Sequence, residues 1–168
     1  MATATRDELV LLLERIRECD QRFKSTYDRG QFRASASRAN PPASEGQVQA
    51  LCDALPFRLP PSYLELLRIS DGIARFKWVD ADLKSTAQLL ADPGLDDWPE
   101  RPELWVFIYG ADTSDGVAFD RRTCDASGEM EVVELANYQE DMRHPSLSAF
   151  LRGYLARLES WLAELDDA

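Results

Sequence analysis

Apolar side chains recur at the spacing of an α-helix near both ends of the chain. The longest series covers residues 147–165, with apolar positions 3, 4, 7, 8, 11, 14, 15 and 18 residues after the first. This period collects them on one side of a helix. A shorter series over residues 9–23 predicts an N-terminal helix that begins after its cap, Thr5, and ends near Tyr27. Both helices should bury an apolar face, although Gly153 inside the C-terminal one costs about 1 kcal/mol relative to alanine.

The middle of the chain, residues 55–72, combines a helix start, an apolar stripe and a helix stop. Pro60 and Pro61 fix φ near the value of a first helical turn, which predicts a helix that begins at about Pro61. Asp71-Gly72 follows the last periodic residue, where a glycine can take the left-handed conformation that ends a helix. The apolar stripe of this predicted helix consists of Leu59, Tyr63, Leu66 and Leu67.

Other apolar patterns predict the strands of an antiparallel sheet. Residues 104–109, LWVFIY, form a continuous apolar run, which is typical of a strand covered on both faces and predicts the centre of the sheet. Residues 110–116 supply turn chemistry, so residues 117–119 should return as its antiparallel neighbour. Residues 74–78 alternate between apolar and basic side chains, and residues 130–135 predict a further strand. Together with the helices, these strands predict an α+β fold in which helices flank an antiparallel sheet of about 4–6 strands.

Polar residues with capping chemistry mark the starts of shorter helices. Ser44 with Gln47 matches a capping box before a helix, and Ser85 should cap another short helix. Asn137 is interpreted in the same way, as the cap of a short helix over residues 137–144. These caps add short helices between and beside the predicted strands.

The first part of the chain is separated from the rest by a polar segment. Residues 30–44 are small and polar and contain Pro41-Pro42, which indicates a linker or a mobile loop. We therefore divide the chain into residues 1–44, an N-terminal helix with its linker, and residues 45–168, the main domain. The apolar stripe of the N-terminal helix must be buried, either on this domain or on another chain.

The net charge is the unusual feature of the composition. It is −11, with 30 acidic and 19 basic side chains among 168 residues. Residues 1–50 carry 8 Lys and Arg and 7 Asp and Glu, a net of +1, so residues 51–168 carry −12. Such a field repels nucleic acid and anionic membranes and speeds the encounter with a basic protein, although solubility alone also explains it.

Residue patterns that would support catalysis or metal binding are few. The sequence has no glycine-rich phosphate loop, no Gly-x-Ser-x-Gly elbow and no His-Glu-x-x-His motif. His144, the single histidine, is interpreted as a surface residue at a helix end. The cysteines are 3 in number and far apart, which favours a reducing compartment such as the cytoplasm over a disulfide framework or a zinc site. We therefore expect no catalytic residue, no metal site and no cofactor.

The order of these motifs resembles the SUKH superfamily, which includes bacterial immunity proteins that neutralise secreted toxins and fungal regulators of cell-wall synthesis. The resemblance covers about residues 45–165, without the N-terminal helix, and implies an α+β domain that binds other proteins. One departure is Asp71-Gly72, where members of the family usually carry Asn-Gly. The turn geometry survives this change, but a contact made by the amide does not. The matching residues are Leu59, Pro60, Tyr63, Leu66, Leu67, Asp71 and Gly72, then Gly110, Asp112, Gly116, Phe119 and Asp120, and finally Ser146, Phe150 and Leu151.

The resemblance and the charge together predict a protein partner. Trp78 with Asp80 sets an aromatic side chain beside an acid at the end of a predicted strand, a combination suited to a basic partner, while a core tryptophan with solvated acids is the alternative. We expect an immunity protein, a monomer or weak dimer, that binds a basic toxin domain stoichiometrically. A regulatory or scaffold protein that binds signalling or cell-wall synthesis partners is the second hypothesis. The predicted contact residues are Asp71, Trp78, Asp80, Asp112 and Asp115.

Overall fold

The computed structural model describes residues 4–27, 37–77, 81–94, 100–110, 115–137 and 139–166. Within these ranges helices pack against one sheet. The helices are α1 (Arg6–Tyr27), α2 (Glu45–Ala54), α3 (Pro61–Ile69), α4 (Thr86–Ala91) and α5 (Leu147–Asp166). The strands are β1 (Arg38–Ala39), β2 (Ile73–Lys77), β3 (Ala81–Leu83), β4 (Leu104–Tyr109), β5 (Gly116–Asp120), β6 (Glu131–Ala136) and β7 (Gln139–His144).

The sheet is open and antiparallel, and its seven described strands stand in chain order from β1 to β7. Each strand pairs with the next one along the chain. The α+β class and the antiparallel sheet predicted from the sequence are confirmed. The predicted number of strands was too low. The two edge strands, β1 and β7, lie in segments that were interpreted as a linker and a helix, and no strand was predicted over β3.

The helix predicted over residues 137–144 is wrong, because residues of this segment form strand β7. Asn137 has a φ of +49°, a left-handed conformation that asparagine tolerates and that tight hairpin turns use. Ala136 of β6 pairs with Gln139 of β7, so the connection consists of Asn137 and Tyr138, and Tyr138 lies outside the described residues. Asparagine therefore acts here as a turn residue and not as a helix cap.

The polar segment predicted to be a linker adds a strand to the sheet. Its described part includes β1, which pairs antiparallel with β2 at one edge. The N–H of Ala43 donates to the carbonyl of Leu67 over 2.9 Å, which joins the segment to α3. Backbone pairing does not require apolar side chains, so the composition of the segment gave no sign of the strand. Residues 30–36 lie outside the described residues.

Helix α3 begins at Pro61 and ends at Ile69, in agreement with the predicted bounds, but the residue that caps its end is Ser70, whose backbone is extended, and not the left-handed Gly72. Gly72 follows it with a φ of +86°. A Cβ atom on Gly72 would stand 2.8 Å from the backbone nitrogen of Ser85, so the close approach of the connection after β3 also requires glycine. The predicted stripe is buried, with Leu59, Tyr63, Leu66 and Leu67 at 2% exposure or less.

Strand β4 is the fourth of the seven strands and therefore central, as predicted. Tyr63 of α3 packs on it, with its ring centroid 5.5 Å from that of Trp105 and 5.3 Å from that of Phe107. The ring of Phe119 on β5 lies 5.5 Å from the ring of Tyr63. These edge-to-face contacts add specific attraction to the burial of large apolar surfaces. The centre of the core is thus aromatic.

Helix α1 packs against α5, which confirms that the predicted N-terminal helix buries its stripe on the rest of the chain. Leu9, Leu13 and Ile16 are exposed by 4% or less. Further along α1, the ring of Phe23 lies 5.6 Å from the ring of Trp161. These contacts belong to the same hydrophobic core as α3 and β4. Segments on both sides of the predicted boundary at residue 44 therefore share one core.

The two faces of the sheet differ. The α-helices α1 to α5 all contribute to the large core on one face. The opposite face, called the outer face below, has a smaller apolar cluster formed by strand residues, against which the partly buried Tyr109 packs. The cluster consists of Leu104, Val106, Ala118, Val133 and Leu135.

Candidate partner-binding surface

The strand order gives the sheet two distinct ends. Because the strands are antiparallel and in chain order, the β2–β3, β4–β5 and β6–β7 connections lie at one end, which we call the hairpin end. Just inside it, Asp82 pairs with Tyr109, Tyr109 with Gly116 and Gly116 with Leu135. The described residues that flank the connections are Lys77, Ala81, Gly110, Asp115, Ala136 and Gln139.

The predicted contact residues divide between the two ends. Trp78, Asp80 and Asp112 lie outside the described residues, in the β2–β3 and β4–β5 connections. Asp115 lies at the hairpin end, directly before β5. Asp71 lies before β2, at the opposite end of the sheet. The topology therefore brings together the connections that contain the predicted residues, with the exception of Asp71.

Asp115 holds two of the connections at the hairpin end. Its side-chain Oδ1 accepts from the N–H of Asn137 over 2.9 Å, which ties the β6–β7 turn to the start of β5. Its carbonyl accepts from the N–H of Gly110 over 3.0 Å, which closes the β4–β5 connection. An aspartate is well suited to this position because it accepts hydrogen bonds from backbone groups in turns. Asp115 remains partly exposed.

Asp71 has a structural position. Its Oδ1 accepts from the N–H of Thr86 over 2.6 Å, and its Oδ2 accepts from the Thr86 hydroxyl over 3.0 Å. Gln47 of α2 donates to Oδ2 over 3.4 Å. The residue is 9% exposed, so its carboxylate joins α2 and the start of α4 and offers little surface to a partner. Its role as a contact residue stays a prediction.

An aromatic and a basic side chain lie beside the β3–β4 pair. The Nζ of Lys84 stands 3.5 Å from the ring centroid of Tyr109, a cation–π contact. The same amine lies 3.6 Å from a carboxylate oxygen of Asp92. Asp82 of β3 accepts from the backbone N–H of Arg75 over 2.6 Å. The hairpin end thus combines acidic groups with a positioned aromatic ring.

A network of charged side chains lies further along the outer face. Arg143 of β7 is opposite Val133, a member of the outer-face cluster, and therefore points to the same side. Its guanidinium donates to Glu140 over 2.8 and 2.9 Å, to Glu131 over 2.6 Å and to Asp120 over 3.1 Å. These carboxylates, Glu140 most strongly, raise the pKa of Arg143 above its usual value.

Asp120 is the buried member of this network, with 1% exposure. Arg122 donates to its two carboxylate oxygens over 3.0 and 2.8 Å. The hydrogen bond from Arg122 is the main reason that the pKa of Asp120 falls to about 2, since burial acts in the opposite direction. A partner that bound at these side chains would have to displace existing ion pairs. This favours the hairpin end over the charged part of the outer face as a contact surface.

His144 is buried, so its interpretation as a surface residue at a helix end is wrong. Its Nε2 lies 2.7 Å from Oε1 of Glu134, and Arg157 of α5 donates to the same oxygen over 2.7 Å. A Cβ atom on Gly153 would stand 3.2 Å from Cε1 of the imidazole, so the ring packs directly on α5.

In the described ranges no group of His, Cys, Asp and Glu side chains could hold a metal ion.

Two features beside β2 were not predicted. Arg75 has a φ of +54°, which the alternating pattern of the strand does not indicate. Asp20 and Lys24 of α1 form a buried ion pair of 2.9 Å. A signal for this pair was present, because both residues continue the helical spacing of the buried Ile16. The sequence alone did not show what they contact.

Comparisons with known proteins identify no relative of this chain. No protein-family model matches the sequence, and no curated protein matches it. Among the helices of the described residues, none is long and apolar enough to cross a membrane. The inference of a function therefore depends on the residues and on their geometry.

Proposed function

We propose that this chain is an immunity protein of the SUKH type, which neutralises a basic toxin domain by binding it stoichiometrically. The observation that carries the proposal is the structural position of the motif residues on which the resemblance depends. Some of them, such as Gly72 and Ser146, lie where elements join, and others, such as Tyr63, Phe119 and Phe150, lie in the core. A given order of such positions specifies an α+β fold more closely than any one short motif does.

The first motif forms the joint between α3 and β2. Tyr63 fills the aromatic centre of the core, and Gly72 takes a φ of +86° where the chain enters β2. Asp71 beside it accepts the hydrogen bonds that start α4. An asparagine at this position would retain one acceptor oxygen, so the departure from Asn-Gly is compatible with the same joint.

The remaining motifs occupy the centre of the sheet and the start of α5. Phe119 of β5 is fully buried, and its ring stacks on that of Phe107 at 4.3 Å. Ser146 precedes α5, and its hydroxyl accepts from the N–H of Ala149 over 3.2 Å. Phe150 then enters the core with 0% exposure. These roles support the resemblance at the level of the fold.

The hairpin end supports the choice of a basic partner. It includes the partly exposed carboxylates of Asp82 and Asp115, and the sequence of its connections adds Asp80 and Asp112. In the sequence Asp80 stands two residues after Trp78, and an aromatic side chain with acids nearby in the chain suits a hot spot with a steering rim. A toxin that cleaves nucleic acid has a basic substrate-binding surface, for which this end would compete.

The test is protection of cells against the cognate toxin. The toxin gene of an immunity protein is expected directly upstream, so the product of the upstream gene is expressed with and without the chain, and growth and complex stoichiometry are measured. We expect growth to be restored and a complex of equal numbers of both chains to elute on size exclusion. Persistent growth arrest in the presence of abundant folded chain, together with separate elution, would contradict the proposal.

Charge variants then locate the surface. Asp80→Asn with Asp112→Asn should slow association, most at low salt, because exposed charges beyond about 8 Å are screened at physiological ionic strength. Trp78→Ala should speed dissociation instead. Asp53→Asn changes an exposed aspartate on α2, a helix whose Gln47 contacts Asp71 at the opposite end of the sheet. It is the matched control and should change neither rate. Unchanged rates in all variants would place the interface elsewhere.

A further inference from the structure

Strand β2 is interrupted by a bulge. Ile73 pairs with Leu83 and Lys77 pairs with Ala81, so the strand has more residues between these pairs than β3 has. Arg75 lies within the interruption and has a φ of +54°, which residues other than glycine rarely adopt. Such a conformation persists only where the surroundings fix it, and bulges often redirect a strand next to a functional site.

Charged side chains hold both backbone groups of Arg75. Its N–H donates to Oδ1 of Asp82 over 2.6 Å, and its carbonyl accepts from Nζ of Lys24 over 2.6 Å. Both hydrogen bonds involve a charged partner and are therefore stronger than ordinary backbone bonds. They replace the ladder bonds that the bulge removes. The side chain of Arg75 itself is exposed.

Lys24, a residue of α1, is held in turn by Asp20 of the same helix. Its side chain is 2% exposed, and its amine lies 2.9 Å from Oδ2 of Asp20, whose side chain is 1% exposed. Burial raises the pKa of Asp20, and hydrogen bonds from Lys24 and Ser37 oppose this effect. A buried ion pair often stabilises a fold no better than apolar side chains of the same size. Its presence here needs another reason, and the hydrogen bond to Arg75 supplies one.

We propose that the C-terminal third of α1 positions the β2–β3 hairpin for partner binding. Asp20 orients Lys24, Lys24 holds Arg75 in the left-handed conformation, and this bulge sets the direction in which β2 reaches the hairpin end. Lys24 and Asp20 are positioning residues that do not touch the partner. The functional part of the inference rests on the proposed function, because Trp78 and Asp80 in this hairpin are predicted contact residues.

The experiment measures amide hydrogen exchange in the full-length chain, so it requires no partner. Lys24→Met alone would leave Asp20 buried and uncompensated, and the main variant is therefore Asp20→Asn with Lys24→Met. We expect exchange in β2 and β3 to become at least about tenfold faster, while β5, β6 and α5 keep their rates. Arg22→Met with Asp166→Asn is the matched control, since it removes an exposed ion pair of α1. It should leave all rates unchanged.

A suppressor tests the role of the bulge. Adding Arg75→Gly to the main variant should restore slow exchange in β2 and β3, because glycine adopts the left-handed conformation without support. Unchanged exchange in the main variant would overturn the inference. Equal acceleration in all strands would also overturn it, because that pattern indicates general destabilisation. A failure of Arg75→Gly to restore protection would show that the pair acts on β2 by another route and would equally overturn it.

Partner binding separates this inference from the proposed function. If the toxin domain binds, the main variant should weaken the complex at least about tenfold, while the control pair binds normally. Unweakened binding together with local acceleration of exchange would overturn the functional part of the inference. If no toxin domain protects or binds, the proposed function fails, and with it the functional part, while exchange still decides whether α1 positions the hairpin.

Discussion

Replacement of Asp71 by alanine tests whether this residue acts as a buried cap. Its carboxylate accepts from the N–H and the hydroxyl of Thr86 over 2.6 and 3.0 Å. Thr86 is fully buried, at 0% exposure. Alanine would leave both donors of Thr86 without their present acceptor, in a place that water does not reach. The helix start at Ser85 would remain, since the capping box between Ser85 and Gln88 is separate.

The size of the loss follows from these two donors. A buried donor without an acceptor costs roughly 1 to 3 kcal/mol, so Asp71→Ala should lower the free energy of unfolding by about 3 kcal/mol. Asp71→Asn keeps one oxygen for the N–H of Thr86, and its amide can donate to the Thr86 hydroxyl. We therefore expect Asp71→Asn to cost about 1 kcal/mol or less.

Urea denaturation followed by tryptophan fluorescence measures these differences. Asp53→Ala is a suitable control, because this exposed aspartate on α2 accepts from Gln49 within its own helix and should change stability by less than about 0.5 kcal/mol. The reasoning would be refuted by a loss below about 1 kcal/mol for Asp71→Ala, or by equal losses for alanine and asparagine. Either result would mean that Thr86 does not depend on the Asp71 carboxylate as its buried acceptor.

Further predictions concern buried groups. Tyr63→Phe should leave the urea midpoint unchanged or raise it, because no described group bonds the buried Tyr63 hydroxyl. Gly153→Ala should lower the melting temperature despite its higher helix propensity, since its Cβ would stand 3.2 Å from His144. The pKa of Asp120 is lowered from 3.8 to about 2, so its stabilising effect is complete above pH 4 and is lost as the pH falls through 4 towards 2. Asp120→Asn should therefore flatten the acid limb of a stability–pH curve, on the order of 2 kcal/mol, whereas an unchanged limb would exclude Asp120 as its source.

Local patterns in the sequence were enough for much of the fold. The stripe of α5, the proline start of α3 and the apolar run of β4 each depend on spacing within one element, and each is found where predicted. The central place of β4 also followed, because a strand without a polar face must be covered on both sides. The helix predicted after Asn137 also depended on a local pattern and was wrong, because helix caps and hairpin turns favour the same residue type.

The candidate surface was predicted less completely. Turn chemistry at residues 110–116 and the acid beside Trp78 pointed to the connections that meet at the hairpin end. Their meeting depends on strand order, which a chain of antiparallel hairpins makes simple. Asp71 was placed with them because Asp71-Gly72 is one of the motifs that carry the resemblance to the SUKH superfamily. Its structural role depends on Thr86, which lies 15 residues further along the chain.

The Asp20–Lys24 pair shows what sequence patterns do not predict. Locally it is an i, i+4 pair of opposite charge, which on a helix surface stabilises by about 0.2 to 0.5 kcal/mol. The pair also shares the helical phase of the buried stripe, because Asp20 lies four residues after the buried Ile16 and Lys24 lies four residues after Asp20. Phase alone does not require burial, because Arg17 lies four residues after the buried Leu13 and is exposed. The structure shows that Asp20 and Lys24 are buried, and a buried charge needs polar partners. The sequence does not locate such a partner, since the carbonyl of Arg75 is 51 residues away from Lys24. The carbonyl of Arg75 is available to Lys24 because β2 bulges at this residue. The buried Asp20–Lys24 pair and the bulge in β2 therefore account for each other.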